Sequence, residues 1–347
     1  MNPSPTQAPA LPERPRLLPG LHVLERDRGE LQIGLDPRHA VVADALPPDL
    51  VKVLHGLDGS KTVDAMLHSV ADDHVEQLRD LLTSLYERGL VEDAGPRRPG
   101  IRTIAEPELW SLRSGGTCAE ARSRRAQSTI ALHGNGRLAV AVATLLAAAG
   151  VGRLSIEATG RVGERDLGSG LSHGDIGMPR RRAIAAAVRR INPEVVTTRL
   201  SGDHSPDLVL LTDAVVPAPE LVRVLVGDGV PHLPVHVRDG TGIVGPLVFP
   251  GRSSCLRCAD LHRTSLDPSW PRVASQLAGR VQHAELAGVQ ATASLAASQV
   301  MRILAPSAGP PPVWNATLEI DAYAGRVRHR AWSPHPACGC GADTIRG

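Results

Sequence analysis

The chain has 347 residues, a formal net charge of +2 and 42% hydrophobic residues, which suits two or three domains with a sizeable core. A charge so close to zero carries no electrostatic footprint for a polyanion, so nucleic acid is not an expected partner. Five cysteines over this length exclude a disulfide-built scaffold and lead to an expectation of reduced thiols in the cytoplasm.

Residues 1–16, "MNPSPTQAPALPERPR", are Pro-rich, lack the apolar core of a signal peptide and read as a disordered tail. Residues 17–95 read as one small unit. "LHVLERDRGELQIGL" places two apolar runs around Asp27-Arg28-Gly29, a hairpin signal. "LPPDLVKVLHGLDGSKTVDAMLHSV" gives two short helices separated by "LDGS", with Ser60 or Thr62 as cap. In "DDHVEQLRDLLTSLYERGLVED", Val75, Leu78, Leu82 and Leu85 keep helical spacing, Gly89 ends the helix and "LVED" returns as a strand. Strands plus three helices predict a winged-helix-like α+β module. Its longest helix carries Asp72, Asp73, Glu76, Asp80 and Glu87 against Arg79 and Arg88, an acidic face that phosphates repel. Residues 96–127 read as a linker, "AGPRRPGIRTIAEPE", and a connecting helix at about 107–126 holding Trp110 and Cys118.

Residues 128–347 alternate strand and helix. "STIALHGNGRLAVAVATLLAAAGVGRLSIEA" is a buried strand, a Gly turn, an apolar helix and a second strand; "MPRRRAIAAAVRRINPE" is a further helix. "VVTTRL", "PDLVLLTDA" and "HLPVHV" read as strands, with "APELVRVLVGDG" a helix between the last two. The alternation predicts an α/β fold with a mostly parallel sheet and helices on both faces. The apolar stretch over roughly 281–305 contains Gln282, His283, Glu285, Gln290, Gln299 and Arg302, and so reads as a buried helix with no membrane span.

Two patterns carry chemistry. Cys255 and Cys258 in "CLRCADLHR" pair with Cys338 and Cys340 in "HPACGC" about 80 residues on. Two close-spaced pairs, each read as lying in a Gly- and Pro-rich loop, fit a tetrahedral four-thiolate zinc site. Such a site leaves no open position for water, which makes the zinc a structural clamp on the C-terminus. The alternative is buried or redox thiols. Cys118 is left over as a core or linker thiol, and His262 and His335 read as neighbours of the pairs rather than ligands. In "GNGRLA", Gly134 and Gly136 lie between a strand and a helix, where backbone N–H groups approach a phosphate. Glu157 ends the next strand, 23 residues after Gly134, in reach of a ribose hydroxyl. Asp213 ends the strand in "LVLLTDA", facing a ligand crevice where it holds magnesium or caps the next helix. The Gly turn equally suits a tight turn that binds nothing.

The order "HGNGRLAVAVATLLAAAGVGRLSIEA", "GMPRRRAIAAAVRRINPEV", "DLVLLTDA", "GIVGPLVFPG", "CLRC" and the last cysteine pair resembles the ThiF/MoeB family, relatives of ubiquitin-activating enzymes, over most of residues 125–342. The resemblance implies a Rossmann-like fold, adenylation of a C-terminal carboxylate with Mg-ATP, a structural zinc and a homodimer. On it, Gly134 and Gly136 match the phosphate-side turn and Glu157 the ribose acid. Arg180 stands at the ATP-contacting Lys, Asp213 at the magnesium-binding Asp, and Cys255, Cys258, Cys338 and Cys340 at the zinc ligands. The chain departs from the pattern in "IEATGRVGERDLGSGLSHG": Thr159 replaces the second acid, Asp166 falls near the family's Asn, and the Arg that follows is absent. "LHGLDGSKTVDAMLHSV…LRDLLTSLYERGLVED" resembles PqqD-like domains, which bind leader peptides of ribosomally made, modified peptides. Together these resemble the ThiF-like partner of azole-forming cyclodehydratases. They imply a protein that binds a precursor leader and presents it to a YcaO-type enzyme, its own ATP site degenerate. The alternative implied is an active adenylyltransferase acting on a peptide or ubiquitin-like carrier protein.

Overall fold

The computed structural model describes residues 11–18, 20–94, 110, 112–113, 117–200, 204–281, 283–305 and 309–342. The chain divides into two compact units, with the boundary in the main run between Ala121 and Arg122. Residues 1–10 of the expected tail, and 96–109, 111 and 114–116 of the expected linker and connecting helix, lie outside the described residues.

The first unit holds β1 (Pro15–Leu17), β2 (Val23–Asp27), β3 (Glu30–Ile33), β4 (Val41–Ala43), α1 (Pro48–His55), α2 (Val63–Leu67), α3 (Val75–Glu87) and β5 (Val91–Asp93). β2, β3 and β4 form an antiparallel sheet with β4 at one edge, and β1 pairs with β5. Pro15 and Arg16, expected in the tail, therefore stand opposite Asp93 and Glu92 in a sheet. Local chemistry sets the helix ends. Pro48 opens α1, where its missing N–H is no loss. Of the two expected caps it is Thr62 that acts, its Oγ1 accepting from Ala65 N at 3.2 Å. α3 stops where Gly89 takes φ +69°, so that Gly89 N reaches Tyr86 O at 2.9 Å and Leu90 N reaches Leu85 O at 2.9 Å. Leu50, Leu54, Leu78, Leu82, Leu85 and Leu90 are essentially fully buried at the centre of the unit. Each stabilises it by about 1.5–3 kcal/mol through burial.

The second unit continues with α4 (Cys118–Gln127, which straddles the boundary), β6 (Thr129–His133), α5 (Arg137–Ala148), β7 (Arg153–Glu157), α6 (Arg180–Ile191), β8 (Leu208–Thr212) and α7 (Pro219–Gly227). It ends with β9 (His232–Arg238), β10 (Thr241–Val244), α8 (Leu256–Leu266), α9 (Trp270–Leu277), α10 (Leu286–Leu304), β11 (Ala316–Asp321) and β12 (Arg326–Ala331). The seven strands lie in the order β12-β11-β10-β9-β8-β6-β7. β7, β6, β8 and β9 are parallel, and β10, β11 and β12 extend the sheet antiparallel. This is a Rossmann-like sheet, with its central strands buried on both faces, as in β8, which is buried along its whole length. α10 packs on α5 and on β9 and β10, and buries Thr292 and Gln299 among its alanines and valines. Among the described residues, no helix is long and apolar enough to cross a membrane. "VVTTRL" is not a strand: only Val196 bridges Arg153 at the sheet edge. Its neighbours instead serve side chains, Thr197 accepting from Arg189 at 2.6 Å and Thr198 from Arg153 at 3.0 Å.

Candidate functional site

The four cysteines meet. Their Sγ atoms all lie within 4.8 Å of one another. Cys255 is 3.8 Å from Cys258 and 3.6 Å from Cys338, and Cys258 is 3.6 Å from Cys340. A tetrahedral zinc with bonds of about 2.3 Å sets its sulfurs about 3.8 Å apart, so the set fits a zinc-sized ion. Cys255 and Cys258 are buried, Cys338 and Cys340 half-buried, and Val248 packs against the group. Burial and the neighbouring sulfurs push the Cys255 thiol far up, and burial takes Cys338 up to about 11. Thiolates crowded like this need a cation, which is the chemistry a soft divalent metal supplies. One expectation needs correction: the first pair is not in a loop. Cys255 is the N-cap residue of α8 and Cys258 lies in its first turn. A C-x-x-C that opens a helix suits a redox pair equally well; the arrival of Cys338 and Cys340 is what completes a set of four metal-ligating sulfurs.

His262 and His335 stand beside the cluster without joining it. The rings meet edge-on with centroids 4.8 Å apart, His262 Nε2 lies 2.9 Å from Ser333 O, and His335 Nδ1 accepts from Ala337 N at 3.1 Å. They shape the loop that carries Cys338. Cys118, the first residue of α4, is buried and outside the group of four.

The glycine turn joins β6 to α5. Asp213 follows β8 with φ +73° and is 5% exposed. Its Oδ2 accepts from Asn135 N at 3.0 Å and Gly136 N at 2.9 Å. The single Thr212 hydroxyl proton lies between two acceptors, His133 O at 2.9 Å and Asp213 Oδ2 at 3.2 Å. Asp213 thus caps a helix, but it caps α5, on the neighbouring strand, and not α7, the next in sequence. The glycines make this approach possible: a Cβ on Gly134 would lie 1.8 Å from Thr212 Oγ1, and one on Gly136 2.7 Å from Asp213 Oδ1. Burial pushes the Asp213 carboxyl up, while the donors from Gly136, Thr212 and Asn135 pull it back.

The remaining predicted residues connect to this cluster. Gly134 N donates to Glu157 O at 3.2 Å, while the Glu157 carboxylate faces Arg199 at 3.4 Å. Arg180 pairs with Asp166 at 2.8 Å and donates from Nη1 to Thr159 O at 3.2 Å. Thr159 N then donates to Asn135 Oδ1 at 2.6 Å. Beyond Asp166, where the family Arg is absent, Gly168, Ser169 and Gly170 all take positive φ. This turn packs on α5 and α10, and Gln290 reaches Ser169 Oγ at 3.0 Å. Sequence reasoning passed over Asn135 and Thr212. Their only signal was their place inside "GNG" and "LLTDA", since the bonds from Asn135 N to Asp213 and from Thr212 to His133 cross 78 and 79 residues.

The cavity beside Asp213 has a volume of only about 20 Å³, and Val281, His283 and Ala284 are among its lining residues. Just before them, Val215 N donates to Arg280 O at 3.2 Å and Gly279 N to Val216 O at 2.9 Å. Small-molecule sites run to about 300–1,000 Å³.

The pattern of the ThiF family matches residues 114–342. No curated protein matches the chain in sequence. Among solved structures, the chain is similar to the microcin C7 biosynthetic enzyme MccB in complex with N-formylated MccA, at 14% identity and TM-score 0.70, over 94% of this chain and 99% of that one. It is similar to E. coli MccB with ATP at 15% identity and TM-score 0.68, over 94% and 99%. It is similar to selenomethionine PaaA at 17% identity and TM-score 0.65, over 90% and 98%. At these identities the structures show a shared fold. With two thirds of its length under the family pattern, the chain belongs to the ThiF family.

Proposed function

We propose that this protein captures the leader of a ribosomally made precursor peptide and presents the peptide to a partner enzyme of the YcaO type, which uses the ATP. The observation that carries the reading is a groove of about 370 Å³ between the edge strand β4 and helix α3. Gln77, Leu81, Ser84 and Arg88 recur three or four residues apart and form one stripe of α3, opposite Val41–Ala43. The other face of α3 buries Leu78, Leu82 and Leu85. An extended peptide adds to a free strand edge through its main chain and sets side chains against the helix. Asp44 and Arg88 give the groove charges of both signs for fixing direction. MccB, of like fold, has been crystallised with a peptide, MccA.

The degenerate nucleotide site belongs to the same proposal. The N–H groups of Asn135 and Gly136, which a phosphate would use, are taken by Asp213, and the cavity beside them has about the volume of one water. The second reading, active adenylation of a C-terminal carboxylate, is favoured by the contact between Gly134, Gly136 and Asp213 on one seat. Were Mg-ATP to bind there, Asp213 would turn to the magnesium and Arg180 would face the phosphates. In either reading Cys255, Cys258, Cys338 and Cys340 hold zinc as a clamp.

Calorimetric titration separates the two. Full-length zinc-loaded protein is titrated with the leader peptide encoded beside it and, separately, with Mg-ATP. The proposal expects saturable leader binding, weakened about tenfold or more by Leu81→Asp, and no heat from ATP at millimolar concentration. ATP binding at micromolar strength, lost in Asp213→Ala, would establish the adenylyltransferase instead.

A further inference from the structure

The four clustered sulfurs are not equally sheltered. Cys255 and Cys258 are 6% and 0% exposed, while Cys338 and Cys340 are half-buried. A cavity of about 430 Å³ lies against three of them: Cys255, Cys338 and Cys340 all line it. That volume admits water and other small solutes to the sulfurs. Arg223 and Arg257 also line the cavity and, among the described residues, have no carboxylate partner. Positive charge beside a cysteine favours the thiolate, which is the reactive form.

The contacts among the sulfurs run between the two pairs. Cys338 meets Cys255 at 3.6 Å and Cys340 meets Cys258 at 3.6 Å, so each loop sulfur faces one sulfur of α8. The two sulfurs of α8 are 3.8 Å apart. A disulfide holds its sulfurs about 2.05 Å apart, so closing either cross pair takes a movement of about 1.5 Å. The loop has room for it: a Cβ on Gly339 would meet nothing within 4 Å. α8 is held by its own helical bonds and by Asp260, which accepts from Arg263 at 3.0 Å and from Trp270 Nε1 at 2.9 Å.

We infer that this cluster is a site of reversible oxidation, where hydrogen peroxide entering by the cavity converts the four thiolates into two cross-linking disulfides, Cys255–Cys338 and Cys258–Cys340. A loop thiolate attacks one peroxide oxygen; the O–O bond breaks, hydroxide leaves and a sulfenic acid forms. The facing thiolate of α8 attacks that sulfur; the S–O bond breaks, a second hydroxide leaves and the S–S bond forms. Each disulfide takes two electrons from its two sulfurs and reduces one peroxide to two hydroxides. With both pairs closed, no thiolate remains to hold a divalent ion. The chain then gives up its zinc while the C-terminal loop stays tied to α8 by covalent bonds. A dithiol reverses both bonds by exchange. The metal release rests on the zinc reading of the cysteines; the pairing rests on the sulfur contacts alone, and neither involves leader capture.

The test starts from full-length protein whose zinc content is measured first. It is treated with hydrogen peroxide, and released zinc is followed with a chromophoric chelator. The chain is then unfolded, alkylated with iodoacetamide and digested for mass spectrometry. About one zinc is expected to leave for every two peroxides consumed, with both cross-linking disulfides in the digest. Cys118, 2% exposed and outside the group, should be the residue that takes the alkyl label. Hydrogen exchange distinguishes a covalent clamp from damage. Residues 335–340 should stay protected in the oxidised, zinc-free protein and lose protection in reduced protein stripped by a chelator. Dithiothreitol with added zinc should restore the starting mass and metal content. The inference is overturned if zinc stays bound through the treatment, or if the bonds found are Cys255–Cys258 and Cys338–Cys340. It is equally overturned if the products are sulfinic or sulfonic acids, or if residues 335–340 exchange as fast oxidised as stripped. A starting protein without zinc would defeat the zinc reading, and the digest would still decide the pairing.

Discussion

At the scale of single residues, sequence leaves the glycine turn two readings, a phosphate loop and a tight turn that binds nothing. Gly134 and Gly136 look like a phosphate loop because phosphate loops need backbone to come close. Here the backbone comes close to Thr212 and Asp213. The Asp213 carboxylate accepts from the N–H groups of Asn135 and Gly136 that the phosphate reading would use. A double-mutant cycle tests the close approach. Gly134→Ala should destabilise the protein by about 1–3 kcal/mol through overlap with Thr212 Oγ1. The cost should shrink in a Thr212→Ala background, where that oxygen is gone, and urea midpoints of the four proteins would give the coupling. Equal costs in both backgrounds would mean that the turn itself, and not Thr212, resists a side chain. Asp213→Ala should cost about 1–3 kcal/mol as well, because it strands the N–H groups of Asn135 and Gly136.

Among elements, legibility followed locality. The hairpin, the Thr62 cap, the Gly89 stop and the buried α10 are written in neighbouring residues, and the sequence reading has them. "VVTTRL" is β-branched and still fails as a strand, because it crosses the edge of β7 at Val196 and then turns its threonines to Arg153 and Arg189. The cysteine pairs were legible as a set, yet the helix that carries the first pair was not. The second pair meets the start of α8 from 82 or 83 residues on. A clamp at that point is measurable. Elemental analysis should return one zinc per chain. Chelation, or Cys338→Ser, should lower the thermal midpoint and speed hydrogen exchange in the first turn of α8 and in residues 335–340, with α3 of the first unit unchanged. A metal-free protein with the same exchange pattern would remove zinc from its clamping role.

Across the whole molecule, the two units should answer acid in opposite directions. In the first unit, His74 Nδ1 lies 2.9 Å from Asp49, and that hydrogen bond raises the pKa of His74. A raised folded value means stability that is fully present below the ordinary histidine pKa, about 6.5, and is lost as pH climbs through the folded value. In the second unit, burial lowers the pKa of His133, His232 and His236, the last to about 3. There the unfolded chain binds more protons, so stability is present above about 6.5 and drains away as pH falls below it. Protons competing for the cysteine sulfurs act in the same direction, so zinc is kept in excess. Between pH 7.5 and 5.5, hydrogen exchange should therefore slow in α1 and α3, relative to the intrinsic rate, and quicken in β8, β9 and α5. His74→Gln should flatten the response of the first unit and leave the second untouched. If both units weakened together on acidification, the Asp49–His74 contact would have no part in the stability of the first.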